Sequence, residues 1–206
     1  MAYSLVSEFL LRICVSALSR PAWAQPVLSV LCATVLGACA PLQPAALISV
    51  ADMAATAPPA LRPADSERAL FAWNAIGSQI YECRVNEKGG VAWTFVAPEA
   101  ELFNQDNDRV GTHGAGPFWA ANDGSRITGT LRARADGARP ADIPLLLLST
   151  QAGEAAGMMA GVTSVQRLNT HGGNPPARGC ESQADAGKRI KQGYTADYVF
   201  FAARPA

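Results

Sequence analysis

Ile127-Thr128-Gly129-Thr130-Leu131-Arg132-Ala133-Arg134 alternates without a break between an apolar or small set (Ile127, Gly129, Leu131, Ala133) and a polar set (Thr128, Thr130, Arg132, Arg134). A period of two places the sets on opposite faces of an extended strand, one toward a core and one toward water. The pattern recurs on both sides. Upstream, Tyr81, Cys83 and Val85 share a face, the Glu87-Lys88-Gly89-Gly90 cluster reads as a hairpin turn, and Val91, Trp93, Phe95 and Ala97 follow in phase before Pro98 ends the run. Downstream, Ile143–Leu148 is continuously apolar, as expected of a strand covered on both faces. Val162–Thr170 returns to strand composition, and Tyr194–Ala203 is an aromatic strand with large residues on both sides. Gly153, Gly157 and Gly161 limit any helix between Gln151 and Gly161 to a short one. These runs, cut by Gly, Pro, Asn and Asp, predict a mainly β chain: a single β-sandwich or jelly-roll-like domain over residues 65–206 with at most one or two short helices.

Immediately before the alternating strand stands Arg109–Arg126, RVGTHGAGPFWAANDGSR, with four glycines, Pro117, Trp119 and one of the chain's two histidines. It reads as a shaped loop closed by the turn residues Asn122-Asp123-Gly124-Ser125. Imposed shape is a property of recognition loops, and a core tryptophan beside a hydrogen-bonded histidine leaves the same trace. The candidate ligand-binding residues are His113, Trp119 and Asp123, with Arg167 and Asn169 from the polar end of the Val162–Thr170 run. No catalytic residue is assigned.

The N-terminal part has a different chemistry. Arg12 and Arg20 precede Pro21–Ala38, a charge-free stretch rich in Val, Leu and Ala, which ends in Leu36-Gly37-Ala38-Cys39. That is an export signal with a lipobox, so residues 1–38 are expected to be a lipoprotein signal peptide and Cys39 the lipidated mature N-terminus. A plain secretory signal and an uncleaved anchor helix are the alternatives. Residues 39–64, rich in Ala and Pro, read as a tether, although Ala45–Ala55 also has the composition of a short apolar helix. The expected location is the bacterial cell envelope, facing the periplasm or the exterior, with the lipid as the only membrane contact. Of the five cysteines only Cys83 and Cys180 lie in the body, so an exported chain would pair them as one disulfide.

Several chemistries are excluded or left without support. Lys and Arg total 17 and so do Asp and Glu, which leaves no basic excess for nucleic acid. A dinucleotide site needs a glycine turn opening a helix. Gly114-Ala115-Gly116 runs instead into Pro117-Phe118-Trp119, without the third glycine, so the chain is not a nicotinamide-dependent dehydrogenase and no cofactor is expected. His113 and His171 are the only imidazoles, too few for a metal site unless they met each other and an aspartate such as Asp106, Asp108 or Asp123; no metal is expected. No Gly-x-Ser-x-Gly element is present, and Glu99 and Glu101 are too local to flank a glycosidic bond.

The ordered set Ile80-Tyr81-Glu82-Cys83, Phe95-Val96-Ala97-Pro98-Glu99-Ala100, Gly111-Thr112-His113, Ala115-Gly116-Pro117, Trp119, Asp123-Gly124-Ser125, Gln166–Thr170 and Tyr194–Tyr198 resembles the domain of unknown function 3455 family of secreted bacterial and fungal proteins. The resemblance covers Ala69–Phe201 and implies no established activity; a malate dehydrogenase label on some members meets the objection above. The chain departs from the family pattern at Gly114, where an aromatic residue is common, and at His171. Three classes of function stay open. The leading one is a binding or interaction module for a small molecule, a glycan or an envelope protein, with the Arg109–Arg126 loop as its edge. The others are a hydrolase or lyase using His113, and a purely structural envelope protein.

Metabolic labelling with a radiolabelled fatty acid should mark the expressed protein and leave Cys39→Ser unmarked; label retained by that variant would reject the lipobox.

Overall fold

The computed structural model describes residues 48–205; the expected signal peptide, residues 1–38, and the lipidation candidate Cys39 lie outside them. The eight strands are β1 (Glu67–Val85), β2 (Val91–Phe103), β3 (Arg109–Gly114), β4 (Phe118–Ala121), β5 (Arg126–Ala135), β6 (Leu145–Ala152), β7 (Ser164–Gly172) and β8 (Arg189–Ala203). Each pairs antiparallel with the next, and β8 returns to β1, so the chain is mainly β as expected and its sheet is closed into an up-and-down barrel. The strand density was read correctly. The arrangement is a correction: one sheet curls onto itself, whereas a sandwich or jelly roll stacks two.

The run with Tyr81, Cys83 and Val85 on one face belongs to a 19-residue strand, β1. Pro98 does not end β2, which continues to Phe103. A register shift opposite Ile80/Tyr81 makes Val96 an extra residue, and Pro98, which lacks an amide hydrogen, sits two residues from that bulge. Arg109–Arg126 is also not an irregular loop. It is the β3–β4 hairpin with its turn at Ala115–Pro117, where the Gly116–Pro117 bond is cis, followed by the start of β5.

Closure gives the barrel an inside and an outside, and both are apolar along part of the wall. The inside is packed at one end by Trp73, Leu102, Ile127, Met159, Val162, Val165 and Phe200. Phe71 stacks on Phe200 at 4.7 Å, and Trp73 meets the same ring edge-on at 5.1 Å. At this packed end Asp123 acts as a staple: Oδ1 accepts from the Ser125 amide and hydroxyl, and Oδ2 accepts from the Met158 amide at 2.8 Å. The Ser125 hydroxyl oxygen in turn accepts from the amide of Met159, which is fully buried.

Outside, a second apolar cluster joins Ala72, Leu147, Leu168, Val199 and Phe201, and it is covered by the segment that precedes β1. Within the stretch read as a tether, Val50–Ala55 forms a helix, α1, capped by the Ser49 side chain, and Pro59–Leu61 forms a 3-10 turn. Leu61 is fully buried there, and its carbonyl accepts a hydrogen bond from Gln166 Nε2 at 2.7 Å. Ile143–Leu148 is therefore apolar on both faces for a specific reason. Leu146 and Leu148 pack against the interior cluster, while Leu145 and Leu147 belong to the cluster under α1 and the 3-10 turn.

Deleting a fully buried leucine side chain removes its transfer energy and leaves a cavity, together on the order of 2–4 kcal/mol. Leu61→Ala should lower the unfolding free energy by that amount in urea titrations; an effect under about 1 kcal/mol would mean that the segment adds little to the barrel.

Candidate ligand cavity

An antiparallel meander places successive connections at alternate ends of the barrel, so the β1–β2, β3–β4, β5–β6 and β7–β8 connections gather at the end opposite the apolar packing. Here the interior is not filled. A cavity of about 590 Å³ opens at this mouth, within the usual range for small-molecule sites. Its wall includes Gln79 and Tyr81 of β1, Trp93 and Phe95 of β2, His113 of β3, Trp119 of β4, Arg134 of β5, Leu146 and Leu148 of β6, Arg167 of β7 and Tyr198 of β8.

Bulges determine which side chains reach it. The extra residue Val96 rephases β2 so that Trp93 and Phe95 line the cavity, whereas Ala97 lies outside it. In β5 the register shifts between Leu131 and Ala133, with Arg132 as the extra residue. The uninterrupted alternation read from the sequence therefore breaks there. Ala133 turns out to the exterior cluster, and Arg134, assigned to the wet face, turns in to the mouth.

The disulfide expected between Cys83 and Cys180 is present, with 5.5 Å between Cα atoms. It ties the β7–β8 connection to β1, beside the backbone bonds Cys83 N–H to Lys188 O and Gly187 N–H to Cys83 O. Trp93 Nε1 donates to Arg178 O at 3.1 Å, and Tyr81 Oη donates to Gly173 O at 2.9 Å. The same connection supplies Asn174 and Pro175 to the cavity wall. With its ends 97 positions apart, this cross-link lowers the entropy of the unfolded chain by an amount worth on the order of 4–5 kcal/mol. Across the mouth, Asp142 anchors the β5–β6 connection by accepting from Arg139 Nε and from the Gly172 amide, and these bonds hold its carboxyl down at about 2.

Three of the five ligand-binding candidates meet at the cavity and two do not. His113 stacks on Trp119 with ring centroids 4.6 Å apart, Tyr198 closes the cluster at 5.0 Å from His113, and all three are buried. His113 and Trp119 thus face inward, which corrects the exposed recognition edge expected of this stretch. Gly129 makes the fit possible, since a Cβ there would meet Trp119 Cζ3 at 2.8 Å. Gly114, one of the departures from the family pattern, lies under the Phe118 ring, and a Cβ there would meet Phe118 Cζ at 2.7 Å. Arg167 projects into the same space, 9% exposed, with Nε donating to Pro144 O at 3.0 Å. Asp123 is engaged at the packed end, as described. Asn169, at a φ of 47°, is on the outer surface and donates to Asp197 Oδ2 at 2.8 Å. His171 is exposed, near Arg139, and does not join His113.

The electrostatics of the cavity follow from burial. His113 Nδ1 lies 2.6 Å from Phe118 O, and because a carbonyl only accepts, Nδ1 carries the proton and Nε2 is left as an acceptor. Burial, with the nearby Arg167 charge adding to it, lowers the His113 pKa to about 3, so the ring is neutral. Burial also raises the Tyr81 and Tyr194 phenols, keeping both protonated. Among the described residues Trp119 Nε1, buried in the wall, has no hydrogen-bond partner, and Gln79 Nε2 and Tyr198 Oη meet only the Tyr194 hydroxyl, outside good hydrogen-bond geometry. Sequence reasoning missed Gln79, Tyr81, Arg134 and Tyr198. The face-sharing of Tyr81 with Cys83 and of Tyr194 with Tyr198 was visible; a polar interior was not. Among the described residues no three His, Cys, Asp or Glu side chains gather as a metal site.

A histidine whose folded pKa lies below its unfolded value of about 6.5 stabilises the fold fully above that value and progressively less as pH falls toward 3, because only the unfolded chain takes up the proton. Between pH 6.5 and 5 the loss approaches about 1.4 kcal/mol per pH unit. Urea unfolding across this window should show that slope, and His113→Phe should flatten it; an unchanged slope would mean that His113 is protonated in the folded protein.

No curated protein and no solved structure matches the chain. A family model described as protein of unknown function (DUF3455) matches residues 63–202. That span takes in all of the barrel except the last residue of β8, and with it every cavity residue named above. On that match the chain belongs to the DUF3455 family of proteins of unknown function.

Proposed function

We propose that the protein is a binding module that holds one small organic molecule in the mouth of its barrel. The observation that carries this reading is the set of under-satisfied buried polar atoms in the cavity wall: Trp119 Nε1, without a partner among the described residues, and Gln79 Nε2 and Tyr198 Oη, which meet only the Tyr194 hydroxyl and outside good hydrogen-bond geometry. Each would cost on the order of 1–3 kcal/mol if kept dry and unbonded, so a fold under selection for stability alone would replace or pair them. Eight-stranded up-and-down barrels have an interior of the size that side chains can fill or one small ligand can occupy. This one is filled at one end only.

Binding accounts for the wall better than catalysis does. Among the described residues the cavity is lined by no carboxylate, thiol or aliphatic hydroxyl, so His113 has no nucleophile or acidic partner beside it, and a ring with a pKa near 3 is a poor base at neutral pH. The limited volume of about 590 Å³ favours a small molecule over a glycan chain or an envelope protein. The lipobox at Leu36–Cys39 supports placing this module at the cell envelope, tethered by lipid through Cys39.

N-Phenyl-1-naphthylamine, an uncharged aromatic probe, should bind with one site per chain and a rise in its fluorescence. Leu146→Trp, which puts an indole into the cavity from β6, should weaken binding about tenfold or more while the far-UV circular dichroism stays unchanged. Probe binding to wild type that Leu146→Trp does not alter would place the probe elsewhere, and absence of binding to wild type would reject the cavity as an apolar-ligand site.

A further inference from the structure

Arg167 is nine-tenths buried in the cavity wall, and no carboxylate stands opposite it. Its Nε is satisfied by Pro144 O, which orients the guanidinium plane, while its two terminal amino groups have no hydrogen-bond partner among the described residues and face the open cavity. Buried charges are otherwise paired, because removing an ion from water costs several kcal/mol even after relaxation. A second guanidinium, that of the solvent-exposed Arg134, is brought to the rim of the same mouth by the β5 bulge, and it forms no ion pair among the described residues. No acidic side chain lines the cavity to offset these two cations.

The remaining wall is mostly aromatic and apolar. Trp93, Phe95, Tyr81, Trp119 and Leu148 surround the space, with Phe95 half-exposed at the rim. Tyr81 and Phe95 meet edge to face at 5.8 Å. Such a surface suits a flat apolar body.

We propose that the ligand is a small organic carboxylate with a flat, apolar body, its anionic group held by the terminal amino groups of Arg167 and attracted into the mouth by Arg134. This rests on the binding reading above and adds the chemical class of the ligand. An Arg fork matches a carboxylate with two parallel hydrogen bonds, and Gln79 Nε2 and Trp119 Nε1 are further donors in the same wall. His113, neutral and with Nε2 as acceptor, adds no second positive charge and can take a hydroxyl or amide proton from the ligand body.

The test uses two probes that differ by one charge. 8-Anilino-1-naphthalenesulfonate is N-phenyl-1-naphthylamine with an added sulfonate, a stand-in for the carboxylate. The anionic probe should bind wild type about tenfold more tightly than the neutral one, and 1-naphthoate should displace it. In Arg167→Met this preference should vanish, with the affinity of the neutral probe held within about threefold. Arg167→Lys, which keeps the charge and loses the fork, should fall between. In wild type the anionic probe alone should weaken as salt rises, a readout that needs no variant. Neutral-probe binding with no anionic preference, or a preference that survives Arg167→Met in a folded variant, would overturn the carboxylate assignment and leave the cavity reading standing. Binding of neither probe would overturn both. Displacement by inorganic phosphate as effective as by 1-naphthoate would assign a simple anion site in place of an organic one.

Discussion

The backbone bonds between β1 and β8, which run from Glu67/Ala203 to Glu82/Arg189, close the sheet and remove its edges. A closed antiparallel barrel of eight strands encloses a volume that must be filled by side chains or occupied by something else. Here closure also constrains the composition of its strands. β1 and β8 bring aromatic residues to the interior, Trp73, Tyr194, Tyr198 and Phe200, while their alternate residues Ala72, Val199 and Phe201 form an outer apolar patch. Left to water, that patch would be a site of association; α1 and the Pro59–Leu61 turn cover it. The segment preceding β1 thus contributes to the fold, even though the family match begins just after it at residue 63.

The two ends of the barrel solve opposite problems. At the packed end, the β4–β5 turn is held by charge-assisted bonds to Asp123, which let Met159 seal the interior. At the mouth, the long β7–β8 connection would be the most mobile part of the chain if it were held only by its strand ends. The Cys83–Cys180 bond, the Trp93 indole and the Tyr81 hydroxyl hold it against β1 and β2, and the Asp142 carboxylate holds the β5–β6 connection against β7. A rigid rim of this kind preserves the shape of an unfilled interior, and a preformed cavity lowers the ordering cost of binding.

What could be read from the sequence follows from the physics of each signal. Alternation in Ile127–Arg134 and continuity in Ile143–Leu148 depend only on local period and burial, and both identified strands. Pairing Cys83 with Cys180 needed only a count. Closure of the sheet, in contrast, depends on contacts between Glu67–Glu82 and Arg189–Ala203, more than 100 positions apart, and no local pattern distinguishes an eight-stranded barrel from a sandwich of similar strands. The bulges at Val96 and Arg132 were equally hidden, because one inserted residue reverses the inside–outside assignment of everything beyond it while leaving the alternation intact on paper. For that reason Arg134 was placed on the wrong face. His113, Trp119 and Arg167 stand out as unusual residues in unusual settings, and the cavity gathers them; Asp123 and Asn169 stand out in the same way because turn and αL positions also select such residues.

The cavity sets a neutral imidazole beside a guanidinium that no carboxylate pairs. Two cations packed together in the barrel would repel each other in a low dielectric, and the fold avoids this by fixing the His113 proton on Nδ1 toward Phe118 O and by desolvating the ring until it no longer takes a second one. One fixed interior charge remains, on Arg167. A neutral ligand in the proposed site would take water from the guanidinium and give it no partner, whereas an anion would replace that water with hydrogen bonds. Selectivity in such a site comes from the state it cannot tolerate: an occupied cavity in which Arg167 has lost its water and gained no partner.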